Sequence, residues 1–268
     1  MAYELGIIGA GNMAEAIVRG VTARGLLKPD QILAADVSPE RLALFQNQLG
    51  VAHAANNAAV AAQSKAILLS VKPQQMQAAL DEMKRSLSPQ TLIISIAAGI
   101  SSSFIERACD DNQPWRVIRT MPNTPMLVGE GMVAISRGRH ATDADLAYAR
   151  RIFESAATVI EVLEDKIDAV TAVSGSGPAY FFFLVEQMVR AGIELGLTAA
   201  QAHTLATRTA LGAAKMLTSS SDAPAELRRK VTSPNGTTHA AITLMESKNW
   251  PQITIDAIKA AAQRSREL

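Results

Sequence analysis

One cysteine, Cys109, stands in 268 residues, so no disulfide can close within the chain. No Cys/His cluster has the spacing of zinc ligands, and no metal is expected. Cys109 reads as a structural thiol, and a lone thiol suits a reducing compartment. The start of the chain has no basic segment followed by an apolar signal core, and the location expected is the cytoplasm. Neither charge sign dominates: 26 Lys plus Arg stand against 25 Asp plus Glu, which leaves no basic footprint for nucleic acid or an anionic membrane. Long apolar runs are also missing. The richest later stretch, Tyr180 to Val185, is too short to span a bilayer and continues into Glu186 and Arg190. No internal repeat is found. These absences leave a globular protein with small-molecule partners.

What is present falls into two textures. Up to about residue 163, short β-branched runs alternate with helical patterns. The runs are Leu5 to Ile8, Ile32 to Ala35, Ala66 to Leu69, Leu92 to Ile94, Val117 to Ile118, Met132 to Ser136 and Thr158 to Val162. Helical patterns over Asn12 to Ala23, Pro39 to Leu49 and Pro73 to Leu87 supply crossovers, and the alternation predicts a mainly parallel sheet covered by helices. From residue 164 onward strand signals vanish, and Ala, Leu, Met and Glu recur at helical spacing over 180–197, 199–217, 224–231, 238–247 and 251–266. The expectation is an α/β Rossmann-type nucleotide-binding domain at 1–163 followed by an all-α domain at 164–268. The Tyr180 to Phe183 run is apolar on every side and reads as burial, against another subunit or within the chain.

Gly9-Ala10-Gly11-Asn12-Met13-Ala14 follows the first strand and opens a helix, the dinucleotide-binding fingerprint in its required context. Gly9 allows the tight turn, Gly11 admits a pyrophosphate to the backbone, and Ala14 lets helix and strand pack closely. Asp36 ends the second strand, where an acid ordinarily accepts ribose hydroxyls of NAD. Ser38 and Arg41 follow within a turn and could together hold a 2′-phosphate, so cofactor choice stays open. Ser70-Val71-Lys72-Pro73 and Ile96-Ala97-Ala98-Gly99 close two further strands at the crevice. Lys72 reads as surface lysine or electrostatic contact.

Late in the chain, Val231-Thr232-Ser233-Pro234-Asn235-Gly236-Thr237-Thr238-His239 turns sharply and leads into an Ala-rich helix. Free N–H groups there suit a carboxylate or phosphate, and an ordinary threonine cap is the plain alternative.

Together with Met121-Pro122-Asn123-Thr124-Pro125 and Ser174-Gly175-Ser176-Gly177-Pro178-Ala179-Tyr180, these motifs resemble Δ1-pyrroline-5-carboxylate reductase over essentially the whole chain. The resemblance implies reduction of L-1-pyrroline-5-carboxylate to L-proline, the last step of proline biosynthesis, by hydride from NADPH or NADH. It implies a helical dimerisation domain, a homodimer or larger ring of dimers, and a nicotinamide pocket completed by the helical segment of another subunit. By motif, Ile8, Gly9, Ala10, Gly11, Asn12 and Met13 cradle the pyrophosphate. Ser38 and Asn57 contact the adenosine side, where Asp36 also ends its strand, although the preceding Asn56 leaves the register at Asn57 open by one residue. Ser70, Val71, Lys72 and Pro73 with Ala97 and Ala98 border the nicotinamide half. Ser233, Pro234, Asn235, Gly236, Thr237 and Thr238 bind the substrate carboxylate, with the Thr238 hydroxyl near the imine nitrogen. Relatives commonly carry Pro-Gly-Gly where this chain has Pro234-Asn235-Gly236. The four histidines, His53, His140, His203 and His239, are assigned no catalytic role. Two other readings share the nucleotide fingerprint: a reductase for a different imine or hydroxyacid, and a nucleotide-binding scaffold without turnover.

Overall fold

The computed structural model describes residues 3–268. Eight strands form one sheet: β1 (Tyr3–Ile8), β2 (Ile32–Ala35), β3 (Ala52–His53), β4 (Ser64–Leu69), β5 (Leu92–Ser95), β6 (Arg116–Pro122), β7 (Gly131–Arg137) and β8 (Ala157–Glu161). Their order is β3-β2-β1-β4-β5-β6-β7-β8, and every neighbouring pair is parallel except β6 with β7. The crossovers are α1 (Asn12–Ala23), α2 (Pro39–Leu49), α3 (Asn57–Gln63), α4 (Met76–Met83), α5 (Ser102–Asp110) and α6 (Asp143–Glu154). A parallel sheet buried on both faces needs apolar side chains at successive positions, and the strands supply them. Leu5 and Ile7 of β1 pack on one face with Ile17, Phe45 and Phe153, whereas Ile8 packs on the other with Val60 and Leu80. Ala66 and Leu68 alternate with Ile67 and Leu69 in the same way. Full burial of a side chain of this size contributes roughly 1.5–3 kcal/mol.

The sequence pattern over Pro73 to Leu87 predicts one helix. The chain instead forms a 3₁₀ turn at Pro73–Gln75, then α4, then a second 3₁₀ turn at Lys84–Ser86. The proline opens the first turn, where its missing N–H costs nothing. Three crossovers were not named from sequence: α3, α5 and α6. Each has a side-chain cap, from Asn56, Ser101 and Thr142 respectively.

Beyond β8 come the short α7 (Ile167–Val170), a π-helical turn at Thr171–Gly175, α8 (Gly177–Glu194), α9 (Ala199–Ser219), α10 (Pro224–Lys230), α11 (Thr237–Ser247) and α12 (Trp250–Arg266). Two compact units result, one running through Gly175 and including Ala261–Leu268, the other Ser176–Ala260. Compactness therefore divides the chain later than the change of texture at 163/164. The reason is packing: Ile167 is fully buried, and Glu164 accepts hydrogen bonds from Ser102 of the sheet unit. The helical unit has scant interior of its own; its buried apolar side chains are Ala202 and Ala206. Phe181, Phe182, Phe183, Leu205, Leu211, Leu244 and Ile253 lie exposed. Among the described residues, no helix is long and apolar enough to cross a membrane.

Candidate functional site

Strand order reverses on either side of β1, and the crevice outside the carboxyl ends of β1 and β4 is where this topology binds ligands. A cleft of about 330 Å³ lies there. Its wall includes Gly9, Gly11, Asp36, Asn57, Ser70, Val71 and Lys72, all expected from sequence. Gly9 has φ +94°, and a Cβ there would meet the Ser70 carbonyl oxygen at 2.7 Å, so only glycine fits this turn. Gly11 faces open space, with nothing within 4 Å of where its Cβ would be. It caps α1 with no side-chain hydrogen bond, which leaves the first-turn N–H groups of Asn12 and Met13 for a ligand. A pyrophosphate fits this bare, glycine-lined helix end. Ile8 and Ala10 are fully buried, and the Ile8 carbonyl accepts from the Ser70 N–H at 2.8 Å.

The side chains after β2 adopt roles that the sequence left open. The Asp36 carboxylate accepts from the Ala10 N–H at 2.6 Å and the Ser38 N–H at 2.7 Å. Ser38 in turn caps α2 by accepting from the Arg41 N–H. Arg41 is not mere surface decoration: its Nε donates to the Ala10 carbonyl at 2.6 Å and its guanidinium pairs with Glu15 at 2.8 Å. Both polar groups of Ala10 are thus gripped from the β2 side, fixing the fingerprint turn. Burial favours the neutral form of Glu15, but Arg19 and Arg41 outweigh it and hold the carboxyl below its ordinary value.

Asn56 caps α3 by accepting from the Ala59 N–H, and of the two asparagines Asn57 is the one that lines the cleft. The Asn57 backbone and side-chain amides both donate to the Glu82 carboxylate, at 3.2 and 2.6 Å. Glu82 escaped the sequence reading. It belongs to a face of Gln75, Ala78, Ala79 and Glu82 that borders the cleft, and the spacing of three, one and three is the signal that would have found it. Ala97 is buried and its N–H donates to Ser95 Oγ at the end of β5, with Ala98 following. Pro73 opens the 3₁₀ turn beyond Lys72.

In the helical unit, Ser233 to Gly236 form a turn closed by the Gly236 N–H donating to the Ser233 carbonyl at 3.0 Å. Asn235 sits at φ +61°, the position where glycine or asparagine is favoured. Gly236, not a threonine, caps α11, and it makes no side-chain cap bond. The helix begins at Thr237, earlier than the pattern suggested, so Thr237 and Thr238 occupy its first two positions. The plain reading of a threonine cap is thereby set aside. The first-turn N–H groups are free of side-chain caps, with two hydroxyls beside them.

The family model described as "Pyrroline-5-carboxylate reductase dimerisation" matches residues 164–268, and one described as "NADP oxidoreductase coenzyme F420-dependent" matches 4–99. A curated pyrroline-5-carboxylate reductase of Pseudomonas aeruginosa is 43% identical, covering 99% of this chain and 96% of that protein. The chain belongs to the pyrroline-5-carboxylate reductase family. A pyrroline-5-carboxylate reductase from Arabidopsis thaliana is 39% identical over 100% of this chain and 96% of its own. Among solved structures, the pyrroline-5-carboxylate reductase of Coxiella burnetii superposes with a TM-score of 0.89 at 35% identity, covering 100% of this chain and 98% of the other. The Plasmodium falciparum pyrroline carboxylate reductase, solved with NADP bound, has a TM-score of 0.88 at 27% identity over 99% and 97% of the two chains. As a reductase of this family, the chain is an NAD(P)H-dependent oxidoreductase with a Rossmann-type domain and a helical dimerisation domain.

Proposed function

We propose that this chain reduces L-1-pyrroline-5-carboxylate to L-proline, the last step of proline biosynthesis. The nicotinamide cofactor, NADPH or NADH, supplies the hydride. Support comes from the full-length likeness together with a bare anion-binding helix end in each unit, one beside Gly9 and Gly11 and one beside Ser233 to Thr238. Residues 1–163 serve as the nucleotide half and 164–268 as the dimerisation and substrate half.

The first helix end receives the pyrophosphate on the N–H groups of Asn12 and Met13, with the small backbone of Ile8 to Gly11 beneath it. Asp36, Ser38 and Asn57 border the adenosine, while Ser70 to Pro73 with Ala97 and Ala98 border the nicotinamide. The second helix end receives the substrate carboxylate on the turn Ser233-Pro234-Asn235-Gly236 and on the Thr237 N–H. Hydride adds to an iminium far more readily than to a neutral imine, and the substrate brings that proton when it binds protonated. The Thr238 hydroxyl then orients the nitrogen by hydrogen bonding, and a strong protein acid is not required. The working form is a homodimer or a larger ring of dimers. The single buried thiol suits the cytoplasm.

The test follows NADPH and NADH oxidation with pyrroline-5-carboxylate, alongside hydroxyacid and other imine substrates. Oxidation confined to pyrroline-5-carboxylate is the expected outcome; turnover of another class alone, or none, overturns the proposal.

A further inference from the structure

At the carboxyl end of the sheet, outside the residues that line the cleft, a buried arginine is held by two partly exposed carboxylates. Arg119 of β6 is only 5% exposed and lies between two carboxylates, Glu164 at 3.5 Å and Asp168 at 3.7 Å, while its Nε has no partner. Each carboxylate reaches outward to a different segment. Glu164 accepts from both the N–H and the hydroxyl of Ser102, at 2.7 and 2.5 Å, at the start of α5. Asp168 accepts from the Ser265 hydroxyl at 2.8 Å, and Ser265 is 2% exposed.

Those two segments flank the loop 96–100 from both sides. Ser102 follows the loop directly in sequence. Residues 265 and 268 press on Gly99: a Cβ there would lie 2.4 Å from the Leu268 Cβ and 3.2 Å from the Ser265 carbonyl oxygen, and Gly99 holds φ +73°. A side chain at Gly99 would be excluded twice, by space and by backbone conformation. As a device for stability alone this arrangement is poor, because burying the Arg119 guanidinium with one N–H unpartnered costs desolvation that two carboxylates at 3.5 and 3.7 Å offset only in part. As a way to hold a loop of Ala and Gly, which has few side-chain contacts of its own, it is apt.

We propose that Arg119, Glu164 and Asp168 act as positioning residues, locking the loop 96–100 between α5 and the segment 261–268 so that Ala97 and Ala98 present a fixed wall to the nicotinamide ring. This rests on the reading that Ala97 and Ala98 border the nicotinamide half. Loosening the lock displaces the ring without touching the pyrophosphate turn, and a misplacement of about 1 Å can lower a rate by about a hundredfold.

The experiment uses the full-length enzyme with Asp168→Asn, and with Leu268→Gly in case the first variant does not fold. ADP-ribose probes the adenosine and pyrophosphate half, and NADPH probes the whole cleft. The expected result is a fall in kcat of tenfold or more at saturating NADPH, with a changed fluorescence of bound NADPH and unchanged ADP-ribose affinity. If kcat and fluorescence stay at wild-type values, or if ADP-ribose affinity falls in parallel, the positioning role is overturned. Gly11→Val checks the underlying reading separately. It fills the open space above Gly11 and should abolish binding of both probes, and if both still bind, the cleft assignment itself is wrong.

Discussion

At the scale of single residues, position within a helix decides which hydroxyls are free for chemistry. Thr238 occupies the second position of α11, behind a glycine cap, so its hydroxyl is not consumed in capping. Thr238→Ala should lower kcat/KM for pyrroline-5-carboxylate about tenfold or more, the scale of one hydrogen bond to a charged group, with nucleotide affinity unchanged. Steady-state kinetics with both substrates varied checks it, and unaltered turnover removes Thr238 from the mechanism. Cys109 shows the opposite case, a reactive residue type made inert. Burial pushes its thiol up to about 12, against a weak opposing influence of Lys84. Because the thiolate is the nucleophile and needs pH above that value, the native protein at pH 8 should resist a disulfide-exchange reagent and react only when unfolded. Rapid native labelling would contradict the burial. Sequence alone placed the fingerprint glycines at the cleft, but Glu82, Arg41 and Arg119 gain their contacts from partners 25 to 45 residues away. No local pattern encodes such pairings.

At the scale of elements, the turn before α11 depends on one backbone conformation. Asn235 holds φ +61°, which asparagine and glycine tolerate and β-branched residues do not. Asn235→Gly should retain activity, in keeping with the Pro-Gly-Gly of relatives, whereas Asn235→Val should cost about 1–2 kcal/mol and raise the KM for the imine. Thermal melting and imine-saturation curves distinguish the two. The fingerprint turn is fixed from the side by Asp36 and Arg41, which hold the N–H and the carbonyl of Ala10. Arg41→Met should therefore weaken NADPH and NADH together by roughly tenfold, because it frees the turn that both share. A loss confined to NADPH, by titration calorimetry, would instead make Arg41 a reader of the 2′-phosphate. The long amphipathic helices and the buried strands were legible because period and length agree with burial. The crossovers α3, α5 and α6 were not, since α3 has only seven residues and the others begin at caps that resemble ordinary polar loops.

At the scale of the whole molecule, the two units differ in what they bury. The sheet unit closes its own core on both faces, while the helical unit leaves Phe181, Phe182 and Phe183 each more than 60% exposed. The helical unit matches a dimerisation family, and an exposed apolar surface of that kind is the face expected to be covered in an oligomer. Phe182→Glu should convert the oligomer to monomers in native mass spectrometry at micromolar concentration. Persistence of the wild-type mass would place the interface elsewhere.

The sequence by itself determined the class of the protein: alternating strands and crossovers, a glycine fingerprint at the end of β1, and an all-helical remainder with a sharp turn ahead of one of its helices. Such features are local, so composition, period and spacing encode them directly. Only the tertiary structure decided which groups are already engaged. It turned Asp36 and Arg41 onto Ala10, made Asn57 rather than Asn56 the residue at the cleft, left Thr237 and Thr238 out of the cap, and brought the segment 261–268 back onto Gly99. The first and last of those outcomes rest on contacts between residues far apart in the chain, which take their geometry from packing, whereas the two caps are local choices among adjacent polar residues that spacing alone leaves open.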